Sequence, residues 1–220
     1  MRHNPTVRFL LVGTLFIATG ATAMPTVPAP TYRAEKQSND AKKASEVRQT
    51  LVSALNDAIT AGDLDRFLDS LSKSARDQVK DNLKKEDRDR FKNAAEKLRT
   101  KWRDQYGKDF NLADSTDAFQ NFDVDIQTRD DRELAIVLVT NPDDQTKYNM
   151  HLVRQEGGWR LLLPSRESGR YFFSNLAAAV SQTADGNLPR NAENGASQIL
   201  TRFYKPLAYG DESTADSKDR

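Results

Sequence analysis

The chain has 220 residues, with 33 basic and 32 acidic side chains and no cysteine. This charge balance gives no bulk electrostatic attraction to nucleic acid or to an anionic membrane. The lack of cysteine excludes disulfides, thiolate chemistry and lipid attachment to an N-terminal cysteine. One or two domains fit this length, and a domain of this size can bury a sufficient core without cross-links.

Residues 1–23 have the three parts of a secretory signal peptide. Two arginines lie in the basic start, residues 9–23 are apolar, and this run closes with Ala-Thr-Ala, the small residues that precede a cleavage site. The apolar run is shorter than the roughly 20 residues that span a bilayer. The sequence therefore predicts export to a bacterial periplasm or to the exterior, with cleavage before Met24 and no stable membrane anchor afterwards. An uncleaved anchor is the alternative.

Two segments outside the expected domain have the composition of unstructured chain. Residues 24–44 contain three prolines followed by polar residues, which predicts a flexible linker. Residues 210–220 are charged and predict a disordered tail. The single domain is therefore expected to cover residues 45–209.

Apolar side chains recur at helical spacing in six segments of this domain. The predicted helices cover residues 45–61, 63–71, 74–83, 86–106, 170–183 and 196–209. Gly62 is expected to end the first helix and Asp63 to cap the second. The long helix at 86–106 has outward-facing basic residues, which indicate either a solvated face or a contact with an anionic envelope polymer.

Alternating or β-branched residues predict four strands in the middle of the chain. They cover residues 119–128, 133–140, 145–155 and 159–163, and short turns connect them. Short connections favour an antiparallel meander, and helices followed by strands are typical of the α+β class. The fold class is therefore α+β: N-terminal helices packed on a curved antiparallel sheet of about four strands, with two further C-terminal helical segments.

The pattern of each strand predicts which of its faces is buried. Phe122, Val124 and Ile126 are expected to face the core, as are Tyr148, Met150 and Leu152. The second strand is apolar on both faces. Its residues Ala135, Val137 and Val139 are expected on the outer face, where they would form an apolar patch.

Two short motifs resemble the nuclear transport factor 2-like (cystatin-like) domains. Residues 58–68, AITAGDLDRFL, combine a helix end, an Ala-Gly-Asp turn and an LDxFL helix, as at the opening of those domains. Residues 157–161, GGWRL, resemble their closing hairpin. The two motifs bracket roughly residues 45–164, while helix 86–106 and the helices after residue 164 go beyond the minimal family pattern.

This resemblance implies a cone-shaped sheet wrapped on helices, whose interior either binds a small apolar molecule or is filled. The family contains isomerase-like and cyclase-like enzymes, dehydratases, transport proteins and scaffolds, so the fold does not select one function.

No residue is assigned a catalytic role. His151 is the single histidine left after signal cleavage, and it alternates with apolar neighbours, so a surface position is favoured over a general base. Asp123 and Asp125 lie ~6.5–7 Å apart on one strand face, which suits an acid/base pair, but their apolar neighbours place them towards solvent. No metal site and no cofactor are predicted, since the chain has few histidines and no calcium-loop spacing.

Five residues of the third and fourth strands are the candidate ligand-binding set. Tyr148, Met150 and Trp159 are expected to line a pocket mouth, with Arg154 and Arg160 as polar anchors. The alternative is that Trp159 belongs to the core, with its N–H hydrogen-bonded.

These observations favour an exported, non-catalytic binding or interaction module. Its partner would be a small apolar ligand or an envelope protein. Two alternatives remain: a small isomerase or hydrolase that uses a cavity carboxylate or His151, and a structural homodimerisation domain that uses the outer sheet face.

The signal peptide gives the first testable prediction. The exported protein should begin at Met24, and Ala23→Leu should block processing because signal peptidase needs a small residue before the bond. The matched control Thr22→Leu changes the less restricted neighbouring position and should still be cleaved. Intact mass of the secreted chain measures both, and a full-length, membrane-retained protein would contradict the prediction.

Overall fold

The computed structural model describes residues 31–113, 122–141, 145–164 and 171–208. Helices dominate both ends of this part of the chain. The α-helices are α1 (Thr31–Ala61), α2 (Lys73–Val79), α3 (Lys85–Tyr106), α4 (Phe172–Asp185) and α5 (Ala192–Tyr204). Short 3-10 helices cover Leu64–Ser70, Lys80–Asn82 and Lys205–Leu207. Among the described residues, none of the helices combines the length and hydropathy that a bilayer crossing requires.

Four antiparallel strands lie between α3 and α4, in the spatial order of the sequence. They are β1 (Phe122–Arg129), β2 (Arg132–Thr140), β3 (Lys147–Gln155) and β4 (Gly158–Leu161). The predicted α+β class, with helices packed against a four-stranded antiparallel sheet and further helices at the C-terminal end, is confirmed.

Two tight hairpin turns determine the strand register. Asp130 and Asp131 have φ of 50° and 59°, and Glu156 and Gly157 have φ of 51° and 78°. Left-handed backbone at both central residues is typical of the two-residue turns that match the twist of paired strands. The β3–β4 turn is therefore centred on Glu156 and Gly157, one residue before the predicted Gly157–Gly158 turn.

The chain reverses sharply at the predicted Ala-Gly-Asp turn after α1. Gly62 has φ of +63°, and the N–H groups of Gly62 and Asp63 donate to the carbonyls of Ile59 and Ala58. This is the Schellman arrangement, which satisfies carbonyls at a helix end. The Asp63 carboxylate then accepts from the N–H of Asp65 at 3.0 Å and caps the following 3-10 helix.

The inner face of the sheet is covered by helices and forms one continuous core with them. Phe67 of the first 3-10 helix lies within this core. Its ring centroid is 5.0 Å from that of Phe203, 6.1 Å from that of Tyr204 and 6.2 Å from that of Phe172. The C-terminal helices therefore contribute the aromatic side chains that fill the space beneath the sheet.

The predicted linker is wrong over residues 31–44, which are helical and extend α1 well before Ser45; residues 24–30 lie outside the described residues. This segment has little to bury, but it is rich in alanine and lysine. Those residues favour a helix, and extending an existing helix carries no nucleation cost. Lys43 also donates to Glu133 of β2 and so attaches the extension to the sheet.

The last helix also begins earlier than predicted, at Ala192 instead of Ala196. Asn191 caps it by accepting from the N–H of Asn194 at 2.8 Å. Gly195, which suggested a loop, lies inside the helix where it packs against α3. A Cβ at this position would lie 2.6 Å from the Tyr106 hydroxyl and 3.2 Å from the Trp102 ring.

The assignment of Ala135, Val137 and Val139 to the outer sheet face is wrong. All three are fully buried on the inner face, opposite Ile126, Val124 and Phe122. The residues of β2 that face outward are Leu134, Ile136 and Leu138, which are half-buried.

Gly195 provides a test of the α3–α5 packing. An alanine inside a helix is normally about 1 kcal/mol more stable than glycine. Here the contact with Tyr106 and Trp102 should outweigh that gain, because overpacking costs about 1–3 kcal/mol. Gly195→Ala should therefore lower the free energy of unfolding, as measured by chemical denaturation. In a Tyr106→Phe background, which lacks the oxygen at 2.6 Å, the same substitution should cost less. A more stable Gly195→Ala protein would contradict this packing.

Candidate functional site

Three residues of the predicted ligand set lie in the core. Met150 and Trp159 are 0% and 2% exposed, and Tyr148 is 6% exposed. The Tyr148 hydroxyl donates to the carbonyl of Thr201 in α5 at 2.7 Å. The Trp159 indole N–H is buried and has no hydrogen-bond partner among the described residues. These side chains are covered by protein instead of lining an open pocket mouth.

Arg154 lies at the edge of the same face, in a network of charges between α1 and the sheet. Its guanidinium is 3.2 Å from the Glu46 carboxylate, 3.6 Å from the Glu133 carboxylate and 5.7 Å from the centre of the Trp159 ring. Lys43 binds the same Glu133. Two cations thus face two carboxylates, so Arg154 holds α1 against the strands and its charge is already balanced.

Arg160 lies on the opposite face of the sheet, so the structure does not bring the five predicted residues together. In the register of β3 and β4, Arg160 lies opposite Val153, whereas Trp159 lies opposite Arg154. Its guanidinium donates to the Trp159 carbonyl at 3.1 Å and lies over Gly158.

The space beneath the sheet is filled by side chains of the C-terminal helices. Phe172, Leu176 and Phe203 are at most 1% exposed and belong to the same core as Met150. Of four cavities formed by the described residues, none has Tyr148, Met150 or Trp159 in its lining.

The largest of these cavities, of about 730 Å³, is an open groove between α3 and the end of α4. Its lysines are already engaged with the chain. Lys97 donates to Asp185 at 2.5 Å and lowers the pKa of that carboxyl, while Lys101 binds the carbonyl of Gly186. Cations at the carboxyl end of a helix are a common stabilising feature, so these contacts explain the lysines without a ligand.

Two basic residues of α3 also bind other parts of the chain instead of being free for an anionic polymer. Arg88 binds both oxygens of Asp65, at 2.8 and 3.1 Å, and this hydrogen-bonded carboxylate raises the pKa of the guanidinium. Arg99 donates to the carbonyl of Thr60 near the end of α1.

The candidate catalytic side chains all lie on the outer face of the sheet. Asp123 and Asp125 are exposed, as predicted, and Asp125 accepts from the Gln127 side chain at 2.7 Å. His151 is half-buried beside Ile136 in the strand register. The described residues contain no cluster of three or more histidine, aspartate or glutamate side chains arranged to hold a metal ion.

An apolar row runs along the middle of this outer face. Leu134, Ile136 and Leu138 of β2 form it. On one side their strand partners are Gln127, Asp125 and Asp123, and on the other they are Val153, His151 and Asn149. The outer face therefore has an apolar centre, an acidic margin on β1 and a mixed margin on β3.

The sequence did not predict this row because β2 is apolar on both faces. The two-residue turn between Arg129 and Arg132 could have identified the outward-facing residues, because it sets the pairing of β1 with β2. Once this turn is recognised, the register follows residue by residue, and Ile126 must share a face with Ala135.

No protein-family model, no curated protein and no solved structure matches the chain.

The burial of two tyrosines makes the free energy of unfolding depend on pH in the alkaline range. Burial raises the pKa of Tyr148 and of Tyr204 above the ordinary value near 10, and the nearby Tyr148 raises that of Tyr204 further. A raised pKa in the folded state means that the unfolded chain loses these protons first. The contribution of these tyrosines to the free energy of unfolding is thus fully present below pH 10. It decreases as pH rises above 10, by about 1.4 kcal/mol per pH unit for each tyrosine.

Tyr148→Phe should therefore flatten the dependence of the unfolding free energy on pH between about 10 and 11. Tyr171→Phe, at a side chain that is 58% exposed, is the matched control and should leave the slope unchanged. Urea unfolding followed by circular dichroism measures the slopes. Ionisation of Tyr148 near pH 10 in the folded protein, as at an open pocket mouth, would contradict its burial.

Proposed function

We propose that the chain is an exported, non-catalytic interaction module of the nuclear transport factor 2-like type, which contacts a partner protein through the outer face of its sheet. The observation that carries this proposal is the covering of the inner face. With Phe172, Leu176 and Phe203 packed beneath the sheet, the apolar surface left to the sheet is on its outer side.

The composition of β2 supports the choice of surface. An antiparallel strand that is covered on one side usually alternates apolar and polar residues. On β2 the outward positions Leu134, Ile136 and Leu138 are also apolar, and each remains partly exposed. An apolar centre surrounded by polar side chains is the usual anatomy of a protein interface, which fits the aspartates on the neighbouring β1.

The features of residues 1–23 support export, and the two short motifs support the family likeness. A periplasmic or extracellular location would place the outer sheet face in contact with envelope proteins. No cofactor is needed for such a role.

The enzyme alternative is disfavoured by the positions of its candidate groups. A catalytic carboxylate or histidine is usually placed in a cleft where desolvation and neighbouring charges perturb its pKa. Asp123 and Asp125 are instead exposed, and His151 lies on the same face of the sheet but is separated from them by β2.

A structural homodimerisation domain is the second candidate, and the same apolar row favours it. Two copies that pack these rows together would form an isologous contact. The two candidates differ in the mass of the complex that forms on this face.

Site-specific photo-crosslinking in cells tests the proposal. A photoreactive residue at position 136 should give a covalent product of defined mass, whereas one at Lys108, an exposed position outside the sheet, should not. Leu138→Gln should greatly reduce the product while leaving the fold intact, because the side chain is only half-buried and the variant places no charge opposite Asp123.

The mass of the product separates the candidates. A product with a different protein, which is reduced in Leu138→Gln, supports the interaction module. A product of two identical chains supports homodimerisation. Equal labelling at 136 and 108, or none at 136, would overturn the choice of the outer face.

A further inference from the structure

A half-open cleft of about 420 Å³ lies at one end of the outer sheet face, beside the β1–β2 hairpin. Leu134, Val153 and Leu162 contribute apolar surface to it, and Arg129 and Arg132 contribute charge. The volume falls within the range of roughly 300–1,000 Å³ that small-molecule sites occupy. The cleft therefore has the size of a ligand site and two chemically distinct parts.

The two arginines face each other in the strand register, since Arg129 pairs with Arg132 at the end of the hairpin. Like charges directly opposite on paired strands are destabilising. Both residues are exposed, and neither forms an ion pair within the described ranges. Asp130 also lines the cleft, so one carboxylate accompanies two cations. Arg88 and Arg154, by contrast, both have carboxylate partners.

A third guanidinium reaches this end of the sheet from β4. Arg160 shares the outer face with Val153, its register partner. Its Nη1 atom lies 3.0 Å from where a Cβ of Gly158 would be, so the side chain extends along β4 towards the turn. Gly158 in turn pairs with Gln155, which lines the cleft.

The floor of the cleft is apolar although it lies on the outer side of the sheet. Val153 is 4% exposed and does not belong to the core beneath the inner face. An apolar floor beside two arginines that are paired across a hairpin complements a molecule with an apolar chain and an oxyanion head. Arginine binds a carboxylate through two parallel hydrogen bonds, which are stronger than neutral ones.

We infer that this cleft binds a soluble alkyl carboxylate, with the carboxylate between Arg129 and Arg132 and the chain over Leu134, Val153 and Leu162. The inference goes beyond the proposed partner contact. It concerns the hairpin end of the outer face, whereas the partner contact is centred on Ile136 and Leu138. Leu134 belongs to both.

Calorimetric titration of the mature chain with sodium decanoate, below its micelle concentration, tests the inference. Decanoate should bind with one-to-one stoichiometry, and acetate and decyltrimethylammonium should each bind at least about tenfold more weakly. Shortening the chain from decanoate should weaken binding about threefold to fourfold per methylene that leaves the floor.

The matched variants remove equal charge at different places. Arg129→Gln/Arg132→Gln should weaken decanoate binding by at least about tenfold. Arg66→Gln/Lys84→Gln changes two exposed cations elsewhere and should leave binding unchanged. Leu138→Gln, which should reduce the photo-crosslink, should also leave decanoate binding unchanged, so the two proposals are tested independently.

Three outcomes would overturn the inference. Equal binding of decanoate and decyltrimethylammonium would indicate unspecific apolar contact. Equal loss in both charge variants would indicate a general electrostatic effect. Binding to anionic vesicles without binding to monomeric decanoate would indicate a membrane-facing surface instead of a ligand cleft.

Discussion

The packing of the C-terminal helices beneath the sheet is the constraint on which the rest of the structure depends. Phe172 of α4 and Phe203 of α5 meet Phe67 of the first 3-10 helix, with centroid distances of 6.2 and 5.0 Å. Burial of such large side chains is the dominant favourable term in folding. It also occupies the space in which a ligand or substrate would otherwise bind, which supports the proposal that the domain acts through its outer surface.

Polar contacts around this core are consistent with a filled interior. Two buried tyrosines each find a backbone acceptor on another element: Tyr148 donates to Thr201 and Tyr204 donates to Leu51. Buried hydroxyls without partners would destabilise the fold, so these bonds fix how α5 lies against β3 and α1. The half-buried charges of Arg154, Glu46 and Glu133 close the edge of the same core, where solvent still weakens the individual ion pairs.

Much of this architecture could be predicted because local patterns are unambiguous where one face of an element is buried. The helical spacing of apolar residues over 86–106 predicted α3, and the Ala-Gly-Asp turn predicted the end of α1. The pattern was ambiguous where both faces of β2 are apolar, so Ala135, Val137 and Val139 were assigned to the wrong side.

Contacts between elements that are distant in sequence could not be predicted. Gly195 was assigned to a loop because glycine is unfavourable inside a helix. The reason for a glycine here is the close approach of Tyr106, which depends on the packing of α3 against α5 and cannot be read from the sequence. The candidate ligand site was the least accurate prediction. Neighbouring residues of a strand point to opposite faces, so Arg160 and Trp159 do not line one pocket.

The most direct test of the central claim is the exposure of methyl groups on the two faces of the sheet, measured by nuclear magnetic resonance with a soluble paramagnetic probe. The account predicts strong line broadening for Leu134, Ile136 and Leu138, and protection for Met150, Leu152 and Leu176. Broadening of the second group to the same extent as the first would show that the interior is open to solvent. It would contradict the assignment of function to the outer face.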